Sequence, residues 1–341
     1  MVRKVKRRKS GIRIFLAMIF IVILVAIVSK ATIFMLNHLI LENEYDDHSS
    51  SPYFPVKVTS TPADDRISSP TPSLEPEPTV SVSLNELNSP NAILIRLKDD
   101  TVLVQKNSED KIYPASLTKM MTTLVAIEYL TDLKEEIELS NAMFEGLYEA
   151  DASMAGFQPG ERVPAVDLLY GVMLPSGAEC CIGLADQISG SEQNFVELMN
   201  QKAVELGMNN THFENTTGLH NENHYTTVKD LSILLSYALQ NDTFREIFTS
   251  SHHLTSPTNK HPDGISFYST MFKGLGSQSL TDGKIIGGKT GYTDEAGLCL
   301  ASLAEVGQEE YILISAGADG NHYSEQYNIT DALVVYNSIE K

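Results

Sequence analysis

Ser116 and Lys119 stand three residues apart in Tyr113-Pro-Ala-Ser-Leu-Thr-Lys119, just ahead of Met120 to Leu130, a run of good helix formers without Gly or Pro. On a helix that spacing puts both side chains on one face. A serine hydroxyl becomes a useful nucleophile only with a base in hydrogen-bond reach and donors for the negative charge that develops. A lysine amine can be that base when burial or nearby charge lowers its pKa. The start of a helix adds unpaired backbone N–H groups and a favourable field. Nucleophile, base and anion site thus fit within four residues. Taken alone, Ser-x-x-Lys is equally an ordinary capped helix with an exposed lysine, so the rest of the chain has to decide.

Two more stretches offer groups for such a site. Pro175-Ser176-Gly177 follows an apolar run at helical spacing and supplies either a second hydroxyl or a plain helix cap. Lys289-Thr290-Gly291 sits in the strand-like segment Gly287 to Thr293, which also carries Tyr292. Lys9-Ser10-Gly11 fits the same pattern in a basic tail where no such chemistry can take place, so each match alone is weak. No C-x-x-C or H-E-x-x-H occurs. His220 and His224 are four apart, but the Asn and Gly around them read as loop, so neither a metal nor another cofactor is expected.

The elements that must carry these groups follow from periodicity. Ala92 to Leu97 and Thr101 to Gln105, joined at Lys98-Asp-Asp100, predict a β-hairpin. Helices are predicted after Ser116, over Val166 to Met173, Ala178 to Ile188, Glu192 to Leu206 and Thr227 to Leu239. The stretch 130–164 is mixed, and 241–283 is poorly patterned. Strands return at Lys284 to Thr293, Leu298 to Leu303 and Tyr311 to Ser315, before a final helix over Tyr323 to Ile339. Strands that open and close a domain around helices predict an α+β fold, with the first hairpin and the last strands in one antiparallel sheet.

Charge divides the chain of 341 residues. Residues 1–13 hold seven Lys and Arg and no acid, leaving 18 basic against 44 acidic side chains in the remainder. An acidic body argues against a nucleic-acid partner. The basic tail precedes an apolar run, Ile14 to Val28, that resumes from Ala31 to Leu36 after Ser29-Lys30. Segment 14–36 therefore reads as a signal anchor, with the tail in the cytoplasm and everything after it outside; a cleaved signal peptide and secretion are the alternative. Residues 37–83, rich in Ser, Pro and acids, read as a disordered tether. Cys180, Cys181 and Cys299 form no disulfide framework and are expected to be buried free thiols.

Ser116-x-x-Lys119, Pro175-Ser176-Gly177 and Lys289-Thr290-Gly291, in that order and context, resemble the penicillin-recognising serine enzymes. The wider text resembles the low-molecular-weight penicillin-binding proteins of the serine-type D-alanyl-D-alanine carboxypeptidase family: Pro114 to Met120, Gly156 to Glu161, Asp167 to Tyr170, Leu174 to Gly177, Thr217 to His220, His224 to Thr227 and Gly288 to Thr293. The similarity covers 84–341. It implies a β-lactamase/D,D-peptidase-like fold with the active site between the sheet and a helical subdomain. It also implies a catalytic domain over 84–341 acting on peptidoglycan stem peptides, with β-lactams as inhibitors.

The resemblance further implies roles. Ser116 attacks the carbonyl between two D-alanines, Lys119 is the base, and Ser176 relays a proton to the leaving amine. Lys289 supplies positive charge for the substrate carboxylate, Thr290 and Thr293 hydrogen-bond it, and Gly291 lets the substrate strand come close to the sheet edge. Backbone N–H groups of Ser116 and Tyr292 form the oxyanion hole. Two departures stand out. The family's Ser-x-Asn has Ala178 in place of the Asn, and its late Arg has no counterpart, since only Arg245 follows Arg162. A serine β-lactamase and a catalytically silent penicillin- or peptidoglycan-binding protein are the other readings.

Overall fold

The computed structural model describes residues 79–340. The basic tail, the expected anchor and nearly all of the expected tether therefore lie outside the described residues. Among the described residues no helix is long and apolar enough to cross a membrane.

Strand β1 (Thr79–Val80) pairs with the last strand, β11 (Ile339–Glu340), so ordered pairing begins ahead of Leu84. The hairpin β2 (Asn91–Arg96) and β3 (Thr101–Lys106) forms as its pattern predicts. The 3-10 turn Ala115–Leu117 carries Ser116 into helix α1 (Thr118–Tyr129). A short ladder, β4 (Glu136–Leu139) with β5 (Glu161–Pro164), occupies the mixed stretch. Helices α2 (Ala165–Met173), α3 (Ala178–Ser189), α4 (Glu192–Glu205), α5 (Val228–Ala238) and α6 (Asp242–Thr249) follow. Side chains of Ser191, Thr227 and Asn241 accept backbone N–H groups at the starts of α4, α5 and α6. Gly190, at φ +77°, ends α3 in the left-handed conformation.

The segment 241–283 holds α6, the strand pair β6 (His252–Leu254) and β7 (Ser266–Tyr268), and the six-residue helix α7 (Thr270–Leu275). These elements are too short for a periodic signal, which is why the sequence pattern missed them. Three long strands close the main sheet: β8 (Gly283–Thr293), β9 (Gly297–Val306) and β10 (Glu309–Ala318). Gly307 and Gln308, at φ +52° and +72°, make the two-residue turn between β9 and β10. Helix α8 spans Tyr327–Asn337, starting later than the expected Tyr323, because 319–326 turns back over the cleft before the helix can begin.

The sheet runs in the order β3-β2-β10-β9-β8, every pair antiparallel. Both of its faces are buried. Ile93 and Ile95 of β2 face a core with Leu117, Met120 and Leu124, whereas Ala92 and Leu94 face a second core with Ile329, Ala332 and Val335 of α8. A strand covered on both sides reads as a continuous apolar run rather than an alternating one. Helix α1 is buried from Thr118 to Ala126, on all its faces, at the centre of the helical layer. This embedding takes Lys119 out of water.

Candidate active site

Edge strand β8 runs beside the 3-10 turn that carries Ser116. A Cβ on Gly291 would lie 3.1 Å from Ser116 N and 3.2 Å from Ala115 Cβ. The glycine thus lets the strand close on the Ser116 turn. The neighbouring loop closes from the other side: Gly218, at φ +80°, leaves room for Ala115 O, which a Cβ there would meet at 1.8 Å. Ala115 itself has φ +46° and Ser176 has φ +70°. Two non-glycine residues in the left-handed region, one before Ser116 and one at the second hydroxyl, store strain where the groups converge.

The polar groups form one chain. Lys119 Nζ lies 3.0 Å from Ser116 Oγ, Ser176 Oγ donates to Ser116 Oγ at 3.0 Å, and Lys289 Nζ donates to Ser176 Oγ at 2.9 Å. Lys119 Nζ also donates to Thr217 O (2.5 Å) and Lys289 Nζ to Thr290 O (2.9 Å). Lys119 is 2% exposed and Lys289 0%. Burial pushes the Lys119 amine down from the usual lysine range. Burial, and then the Lys119 charge, push Lys289 down further. An amine depressed in this way can accept a proton from the serine it touches.

The cleft has two lobes, of about 310 and 370 Å³, with Ser116, Ser153, Tyr292 and His322 lining both. The first is walled by Asp151, Ala178, Thr217, Thr293, Asp294 and Glu295, the second by Ser176, Thr270, Lys273, Thr290, Gly291 and Gln326, among others. Thr290 and Thr293, three apart on a strand, project to opposite faces, and they line different lobes. Thr290 Oγ1 lies 2.6 Å from Thr270 Oγ1, while Thr293 Oγ1 accepts Ala296 N at 3.1 Å. The two threonines are therefore not brought together on one carboxylate. Lys289 likewise points beneath Ser176 and away from open cleft. The Tyr292 ring packs edge-on against His322, with centroids 4.8 Å apart.

Several supporting residues carry no motif signal. Asn215 Oδ1 accepts the N–H groups of Thr217 (3.1 Å) and Gly218 (2.7 Å), shaping the loop whose carbonyl holds Lys119. An Asn followed by Thr-Thr-Gly is a legible signal for such a turn. Thr270 comes from the unpatterned stretch and had none. Glu179 Oε1 accepts Ala155 N (2.8 Å) and Gly156 N (2.9 Å), and burial raises its carboxyl pKa. It ties the 153–157 segment to the start of α3, where Ala178 N donates to Ser153 O.

His220 and His224 diverge. His224 is buried, accepting Glu214 N on Nδ1 (3.1 Å) and meeting Thr118 Oγ1 with Nε2 (2.8 Å), whereas His220 faces the cleft beside Tyr113. Cys180, Cys181 and Cys299 are free and buried, and burial pushes the Cys181 and Cys299 thiols up to about 12.

Comparison with known proteins agrees with this geometry. The family described as D-alanyl-D-alanine carboxypeptidase matches residues 78–320. The D-alanyl-D-alanine carboxypeptidase DacF of Bacillus subtilis is 36% identical over 234 residues, 67% of this chain and 57% of its own length. DacA of Escherichia coli is 31% identical over 252 residues, 70% of this chain and 58% of its own. The chain thus spans somewhat under three fifths of these curated relatives. The crystal structure of the Streptomyces K15 DD-transpeptidase superposes with a TM-score of 0.67 at 27% identity, covering 75% of this chain and 98% of that one. A D-alanyl-D-alanine carboxypeptidase from Mycobacterium tuberculosis gives 0.65 at 25%, covering 77% and 95%. With the serine–lysine pair, the second hydroxyl and the Lys-Thr-Gly strand converging on one cleft, the chain belongs to the D-alanyl-D-alanine carboxypeptidase family.

Proposed function

We propose that the protein is a serine-type D-alanyl-D-alanine carboxypeptidase that removes the terminal D-alanine from peptidoglycan pentapeptides and is acylated by β-lactams. The observation that carries this reading is the unbroken chain Lys119 Nζ, Ser116 Oγ, Ser176 Oγ, Lys289 Nζ, each link 3.0 Å or shorter. Neutral Lys119 takes the Ser116 proton as Oγ attacks the carbonyl carbon of the penultimate D-alanine. The oxyanion is held by the backbone N–H groups of Ser116 and Tyr292. Its collapse breaks the peptide bond, and the proton taken up by Lys119 passes through Ser176 to the amine of the leaving D-alanine, which returns Lys119 to its neutral form. Water then adds to the acyl-enzyme, giving up a proton to Lys119, and releases the shortened peptide with Ser116 reprotonated.

Lys289 acts in this scheme as the donor that fixes the Ser176 hydroxyl. Segment 14–36 is proposed to anchor the chain in the cell membrane with the catalytic domain outside. The deciding experiment measures D-alanine release from a pentapeptide beside covalent labelling by fluorescent penicillin. Both are expected. Labelling without release would favour a silent penicillin-binding protein, and rapid turnover of the penicillin itself a β-lactamase.

A further inference from the structure

The two lobes of the cleft differ in charge. Asp151, Asp294 and Glu295 line the first, whereas no Asp or Glu is among the residues described as lining the second. Helix α7 borders that second lobe with Thr270 and Lys273, three apart and hence on one face. The hydroxyl contact of Thr270 with Thr290, 2.6 Å, turns this face toward the Lys-Thr-Gly strand. Lys273 stands one turn further along. It is exposed, and among the described residues its ammonium has no hydrogen-bond or ion-pair partner.

A carboxypeptidase must recognise a free carboxylate next to the bond it cuts. One residue of extended peptide is roughly 3.5 Å long, so that carboxylate falls in a lobe adjoining Ser116. The other basic side chains are committed or lie off the second lobe, His220 standing in the first lobe 3.7 Å from Glu295. Lys289 is fully buried and donates to Ser176 Oγ and Thr290 O, and Lys119 is held by Ser116 and Thr217. Arg162 pairs with Glu138 and Arg245 with Glu310, and neither lines the cleft. The His322 ring is packed against Tyr292.

We propose that Lys273 is a substrate-binding residue whose ammonium receives the C-terminal carboxylate of the peptide, beside a Thr290 hydroxyl positioned by Thr270. A flexible lysine stem on the rim of an acid-free lobe suits a point charge on a carboxylate. This assignment rests on the carboxypeptidase reading and adds to it the source of the cation that selects a free C-terminus.

The test compares the second-order rate of acylation by benzylpenicillin with that by its methyl ester, which lacks the anion, in the native protein, Lys273→Ala and Lys273→Arg. Lys273→Ala should lose about ten- to a hundredfold on the free acid, the worth of one charge-assisted contact, and nothing on the ester. Lys273→Arg should recover most of the loss. In parallel, D-alanine release by Lys273→Ala should show its defect in KM. Equal acylation of the free acid by native and Lys273→Ala protein, or an equal loss on acid and ester, overturns the assignment. Native protein that is acylated but releases no D-alanine would remove the carboxypeptidase reading, while the acid-to-ester comparison still decides Lys273.

Discussion

At the residue scale the site turns on one buried amine. In the proposed scheme Lys119 must be neutral to take the Ser116 proton, and an amine is neutral only above its pKa, which burial here lowers. Acylation should therefore rise with pH along a limb lying below the ordinary lysine value of 10.5. A stopped-flow profile of penicillin acylation checks this, and a limb at or above that value would remove Lys119 as the base. Ser116→Ala should abolish labelling with an unchanged melting temperature, since Ser116 is only half-buried. Lys119→Ala should slow acylation by about a thousandfold or more. Ala178 makes the opposite case. It offers the cleft no polar side-chain atom, yet the rest of the hydrogen-bonded chain is intact. One lost neutral hydrogen bond amounts to about 1 kcal/mol, so native and Ala178→Asn proteins should release D-alanine within about tenfold of each other. Native release no faster than Ser116→Ala, with Asn restoring it, would mean that position 178 decides activity.

At the scale of elements, three backbone segments are pressed together: the 115–117 turn, the 215–220 loop and β8. Gly218 shows how tight this is. Gly218→Ala places a Cβ against Ala115 O and forces a positive φ on a residue with a side chain, at a cost of about 3 kcal/mol. Urea denaturation should record that loss together with slower acylation, and unchanged stability would mean that the loop can back away at no cost. His224 pins the same loop to α1. Burial lowers its ring pKa from 6.5 to about 4, so it stays neutral in the fold. A depressed pKa gives stability that is whole above 6.5 and is lost as pH falls from there toward about 4, on the order of 3 kcal/mol. NMR titration should find the His224 ring neutral at pH 5; a midpoint near 6.5 would contradict its burial. The legibility of these elements follows their length. The β2–β3 hairpin, α2 to α5 and β8 to β10 were readable because long apolar faces repeat. α6, α7 and the β6–β7 pair were not, since three to eight residues held by tertiary contacts leave no period. Ser116, Lys119, Ser176 and Lys289 were legible as short motifs. The burial of Lys289 beneath Ser176, and the split of Thr290 from Thr293 between two lobes, depend on strand pleat and chain crossings that no motif encodes.

For the whole molecule, a sheet buried on both faces divides the apolar interior into two cores, and the cleft opens where the sheet's free edge meets the helical layer. Among the described residues the buried side chains of both cores lie between Leu87 and Ile339, with Val80 and Val82 packed against the second core from outside. The folded unit should therefore form without the segment that is proposed to anchor it. A chain beginning at Thr79 is expected to match the full protein in urea midpoint and in the rate of penicillin acylation, while the full protein, unlike the shortened one, fractionates with membranes. A chain beginning at Leu84 loses the pairing of Thr79–Val80 with Ile339–Glu340 and the bond from Ser81 N to Ser338 O. Those backbone hydrogen bonds and the packing of the half-buried Val80 and Val82 on the second core are worth about 2–4 kcal/mol together, so this second truncation should lower the midpoint clearly and leave acylation alone. Unfolding or loss of acylation in the chain from Thr79 would show that residues 1–78 contribute to the folded unit. Recovery of the full protein from the soluble fraction would remove the anchor and leave secretion as the reading of its N-terminal segment.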